Sequence, residues 1–156
     1  MYKLLSLASV FLFTSFTSPL PVIYEKLPLC EGAQLIVKKM KAGEELSIQG
    51  WAMEEGATTY DSEIQITGWI SLIENDSDGF TFHADKKEEN KDILVIQKQF
   101  ADVKAELIEC FAVKKITTDN SKRFSFSSGN IVVALLLIKG FSDDYRVSLY
   151  LMKPKK

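Results

Sequence analysis

The chain has 156 residues, 46% of them hydrophobic and 26% charged, with a formal net charge of −2. That composition fits one globular domain and excludes a disordered polyelectrolyte, a collagen-like repeat and a disulfide-dense miniprotein. Two Cys exclude a four-cysteine zinc site within the chain, a single His excludes a His-rich metal cage, and only two Arg (Arg123 and Arg146) among 19 basic residues weigh against nucleic acid as partner.

Residues 1–18 have the layout of a secretory signal peptide. Lys3 precedes an apolar run from Leu4 to Phe16, small and polar residues close it at Thr14, Ser15, Thr17 and Ser18, and Pro19 and Pro21 follow. A run of 13 residues is too short for a permanent membrane span, so no stable membrane span is expected. Removing residues 1–18 takes Lys3 with it and leaves 138 residues (19–156) at −3 as a single exported domain, secreted or periplasmic. Leu27-Pro28-Leu29-Cys30 resembles a lipobox only superficially, because Leu29 is bulky and Glu25 and Lys26 separate it from the apolar run. Cys30 and Cys110 are then the only thiols of an exported chain, and an oxidising compartment favours a disulfide between them.

A near-repeat follows. Glu45-Leu46-Ser47-Ile48-Gln49-Gly50-Trp51-Ala52 recurs 18 residues later as Glu63-Ile64-Gln65-Ile66-Thr67-Gly68-Trp69-Ile70. Both copies alternate with period two and predict strands, and the short connection between them predicts an antiparallel hairpin. The pattern places Ile64, Ile66, Gly68, Ile70 and Leu72 on one face and puts Trp51 and Trp69 on the opposite, polar face. Trp on such a face can anchor a partner or stack on a sugar, which makes Trp51 and Trp69 the candidate binding residues. The alternative is that a helix covers the second face and buries both rings.

The next turn admits a calcium reading. Glu74, Asp76, Asp78, Gly79 and Asp85 occupy positions 1, 3, 5, 6 and 12 of a loop that resembles the EF-hand calcium loop, which is the spacing of oxygen ligands that a hard cation needs. Glu at position 1, the shorter Asp at position 12 and strand-like flanks depart from that pattern, and a plain Asp-Gly hairpin turn explains the same residues. Asn75-Asp76-Ser77 is also a glycosylation sequon, relevant only in a eukaryotic secretory pathway.

Phe80–His83 predicts a further strand, with His83 as an ordinary polar-face residue, and Asp85–Lys91 a solvated loop. Ile93–Ile96 fits either a strand or the start of a helix. Phe100, Val103, Leu107 and Cys110/Phe111 have helical spacing and predict one helix around 99–114. Thr117–Lys122 is turn-rich; strands are predicted at Arg123–Ser127, Ile131–Lys139 and Tyr145–Met152, with Gly140–Asp144 closing the last hairpin. Because Ile131 to Ile138 is apolar throughout, that strand is expected to be central and covered on both faces. The expected fold class is α+β: a mainly antiparallel sheet of six or seven strands, open or curled into a partial barrel, with one helix.

No nucleophile elbow, phosphate-cradling Gly loop or Cys–His pair is evident. The residues therefore point to an exported binding protein without a cofactor. Its expected partner is another exported protein, an envelope component or a small apolar ligand held among Phe80, Phe82, Leu135 and Leu137. The alternatives are a small exported hydrolase that uses two carboxylates and a calcium-stabilised extracellular module.

Overall fold

The structure, a computed structural model, describes residues 25–44, 46, 58–75, 79–140 and 143–154. In chain order the elements are β1 (Glu25–Leu27), α1 (Leu29–Ala42), β2 (Thr58–Asp61), β3 (Ile64–Ile66), β4 (Trp69–Asn75) and β5 (Gly79–Lys86), then α2 (Ile93–Cys110), β6 (Ile116–Asp119), β7 (Arg123–Ser128), β8 (Ile131–Lys139) and β9 (Tyr145–Pro154). Seven strands form one open antiparallel sheet in the order β2-β4-β5-β9-β8-β7-β6, and β1 pairs with β3 in a small parallel sheet. The α+β class is as the sequence predicts. The sheet does not close into a barrel.

Helix α2 begins at Ile93, six residues before the predicted start, because the Asp92 side chain caps it by accepting from the Leu94 N–H at 2.9 Å. Ile96, Phe100, Val103 and Leu107 recur at intervals of three and four and are all buried. The helix ends at Cys110, where Ala112 takes a left-handed φ of 46° and the Val113 N–H reaches back to the Ile108 carbonyl.

A second helix, α1, corrects the expectation of a single one. Leu29, Ala33, Ile36, Val37 and Met40 are its buried stripe, and Gly43 ends it in a left-handed conformation. Gly32 lets α1 approach β3 closely, since a Cβ there would lie 3.1 Å from Ile66 Cγ1. Cys30 and Cys110 are joined with their Cα atoms 5.6 Å apart, which ties the first turn of α1 to the last residue of α2.

Of the predicted first hairpin, the copy at 45–52 lies outside the described residues apart from Leu46, which is buried. The second copy is not one strand. It breaks at Thr67-Gly68, where Gly68 adopts a φ of +83°, a conformation open chiefly to glycine. Passing through that turn reverses the alternation. Ile64 and Ile66 are buried, but beyond the turn Trp69, Ser71 and Ile73 point inward, while Ile70 faces outward and is 54% exposed.

Both helices contribute to a single core with the inward residues of the large sheet, among them Ile73, Phe82, Phe124, Val133, Leu135, Leu149 and Leu151. The sheet thus has an inner face under the helices and an outer face on which no described helix or strand packs. Strand β9, not β8, is central. Ile131, Val133, Leu135 and Leu137 of β8 are buried on the inner face, whereas Val132, Leu136 and Ile138 are only half-buried. The continuous apolar run therefore marks an apolar outer face that no described element encloses.

Candidate outer-face site

The outer face is assembled by register. Cross-strand pairing aligns Leu72 of β4, His83 of β5, Tyr150 of β9 and Ala134 of β8 in one row, and Ile70, Asp85, Ser148 and Leu136 in the next. Because side chains alternate along each strand, these residues share the face opposite Val147, Leu149 and Leu151. At the centre of that face lies a polar cluster surrounded by half-buried apolar side chains.

Asp85 is its hub. Its Oδ1 accepts from Ser148 Oγ at 2.5 Å and contacts His83 Nε2 at 2.9 Å, while its Oδ2 lies 3.4 Å from the Arg146 guanidinium. Arg146 also reaches Glu89 at 3.6 Å, and its Nε is buried without a hydrogen-bond partner among the described residues. On the other side of the imidazole, Nδ1 faces Glu74 Oε1 at 3.8 Å. The imidazole stacks on the Tyr150 ring with centroids 4.4 Å apart and planes 9° apart.

Burial pushes the Asp85 carboxyl up, but the hydrogen bonds from His83 and Ser148 and the charges of His83 and Arg146 outweigh it. The carboxyl is held below its ordinary value. Burial raises the Tyr150 phenol, the neighbouring Asp85 and Glu74 raise it further, and Arg146 opposes them only in part.

This arrangement holds strands together more readily than it transfers protons. Asp85 stands between Ser148 and His83, whereas a serine nucleophile needs its hydroxyl on the imidazole and the carboxylate beyond. Ser148 is also 0% exposed. Glu74 and Asp85 contact opposite nitrogens of the same ring, so the imidazole fills the space where a paired-carboxylate hydrolase would place water and substrate.

The residues singled out by sequence fare differently. Cys30 and Cys110 are bonded. Trp69 is 5% exposed within the core, so its ring presents no stacking surface; Trp51 lies outside the described residues. Of the calcium set, Asp76 and Asp78 lie outside the described residues, and Glu74 and Asp85 are on neighbouring strands of a hairpin. Their side chains reach opposite nitrogens of His83, so the imidazole stands between the two carboxylates. No group of three or more His, Cys, Asp or Glu able to hold a metal occurs among the described residues. Phe82 and Leu135 are fully buried and Leu137 packs in the same core, whereas the partly buried Phe80 lines a groove of about 190 Å³ with Met40, Gly43, Glu44 and Lys153; the four side chains do not line one cavity together.

Sequence reading missed Arg146, Ser148 and Tyr150. The signal was the second face of β9: once Val147, Leu149 and Leu151 are assigned to the core, alternation sends these three outward together. No family model, curated protein or solved structure matches the chain.

Proposed function

We propose that this chain is an exported, disulfide-locked binding protein that engages another protein through the outer face of its sheet. One observation carries the reading. Ile70, Leu72, Val132, Leu136, Ile138, Tyr150 and Met152 stay partly exposed on a face that no described element covers, around the Asp85–Arg146 pair. An apolar surface with a Tyr and an Arg at its centre has the anatomy of a protein interface. Its extent along neighbouring strands of an open sheet suits a second protein better than a small ligand, which needs a concave pocket. Export is supported by the leader-like run at residues 4–16 and by the bonded cysteines. No described helix is long and apolar enough to cross a membrane.

The test is site-specific photo-crosslinking in the producing cell. A crosslinker at Leu136 is expected to give a discrete protein adduct in the exported fraction, and one at Glu106, on the exposed side of α2, none. Absence of an adduct from Leu136, or equal adducts from both positions, would overturn the reading.

A further inference from the structure

We infer that the part of the outer face formed by β2, β4 and β5 receives a cationic, apolar segment of the partner protein; this rests on the binding reading above and specifies its chemistry. Ile70 and Leu72 of β4 line a groove of about 260 Å³ together with Asp61, Gln65, Ser71 and Lys26. Ile70, at 54% exposure, is among the most exposed large hydrophobic residues described, and here it projects from a strand beside a shallow, open groove. Apolar side chains of a partner are what such a residue can bury.

The charges around it choose the partner's sign. The outward-facing residues of β2, β4 and β5 include three carboxylates, Asp61, Glu74 and Asp85, and no Lys or Arg. Asp85 is matched by Arg146 from β9. Asp61 is exposed and makes no ion pair or side-chain hydrogen bond among the described residues. The Glu74 side chain is 39% exposed, and the one charged-pair contact it makes among the described residues is with His83 at 3.8 Å, beyond hydrogen-bond distance. Among the described residues that line the groove, Lys26 is the one cation, and it comes from β1. Asp61, paired across from Leu72, and Glu74, the next outward residue after Leu72 on β4, thus flank the apolar Leu72–Ile70 stretch and stand ready for Lys or Arg on a partner strand whose alternate side chains are apolar. An acidic segment would bring like charges together at the same place.

The experiment uses the full chain and two synthetic probes, capped octapeptides of alternating Lys and Leu and of alternating Glu and Leu, followed by methyl NMR. The Lys–Leu peptide is expected to bind at least about tenfold more tightly than the Glu–Leu peptide and to shift the Ile70 and Leu72 methyl signals. Asp61→Asn combined with Glu74→Gln should abolish that preference, and Asp61→Asn alone, an isosteric change at an exposed side chain that makes no ion pair or hydrogen bond among the described residues, should reduce it in a protein whose fold is undisturbed. Equal binding of the two peptides, shifts centred elsewhere, preference retained in the double variant or no binding at all would each overturn the inference. The crosslinking result at Leu136 decides the parent reading independently. An adduct there together with no Lys–Leu preference would leave the interface standing and remove only its cationic chemistry.

Discussion

Ser148 Oγ donates to Asp85 Oδ1 across the β5–β9 pair at 2.5 Å, and the same oxygen contacts His83 Nε2. The carboxylate is thereby held below its ordinary value, against the opposing effect of burial. A depressed folded value means stability that is fully present above the ordinary carboxylate range and lost as pH falls through the folded value. Asp85→Asn should therefore lower stability at pH 7 by about 1.5–3 kcal/mol, the usual worth of hydrogen bonds to a charged group. The wild-type and variant curves should converge below about pH 4. Urea unfolding across pH 3–8 checks this; a gap that stays constant with pH would refute it.

Tyr150 gives the opposite limb. Burial first, then Asp85 and Glu74, raise its phenol. The corresponding stability is intact below the ordinary tyrosine value of about 10 and is lost as pH rises through the raised folded value. The difference in phenolate absorbance between wild type and Tyr150→Phe should accordingly develop above about pH 10. A difference titration centred at or below that value would show that the carboxylates and burial do not act on this ring.

The disulfide spans a sequence separation of 80. Closing a loop of that size restricts the unfolded chain by about 4 kcal/mol on the chain-entropy account. Cys30→Ser with Cys110→Ser should lose most of that in equilibrium unfolding, and the oxidised wild type should fall to the variant's stability on reduction. Unchanged stability in both comparisons would mean that helix packing alone fixes the α1–α2 junction.

Trp69 is buried in the core with Ile73 and Phe82. Trp69→Ala should destabilise by about 3–5 kcal/mol, as large-to-small changes at packed aromatic positions do. The same urea series checks it. A variant of wild-type stability that bound partner more weakly would reassign the ring to the interface.

Gly68 turns the chain at φ +83° with nothing within 4 Å of where a Cβ would lie. Gly68→Ala should therefore cost about 1–2 kcal/mol through backbone conformation alone, read as a fall in the unfolding midpoint. A neutral result would mean that the turn can adopt another geometry without disturbing β4.

Local patterns located the cores of strands β5, β7, β8 and β9, β8 by its continuous apolar run, and the chain's two Cys predicted their own pairing. Alternation is a local property that survives wherever a strand has one wet and one dry side. Helix α1 was equally legible in principle, since Leu29, Ala33, Ile36, Val37 and Met40 recur at helical spacing. The start of α2 was legible too, because Asp92 is a capping residue directly before the apolar run.

Other features needed the tertiary structure. A period-two reading carries straight through Gly68, whereas the left-handed φ there reverses the two sides and moves Trp69 inward and Ile70 outward. The apolar run of β8 cannot say whether its second face is covered or open, because that depends on where both helices pack. The Glu74–His83–Asp85–Ser148–Arg146 cluster joins residues up to 74 positions apart, and only the register of β4, β5 and β9 brings them together. Composition and alternation thus determined an α+β domain with a bonded cysteine pair. Long-range strand pairing decided which side chains meet and which face remains open, because those contacts are fixed by register and packing that no local pattern encodes.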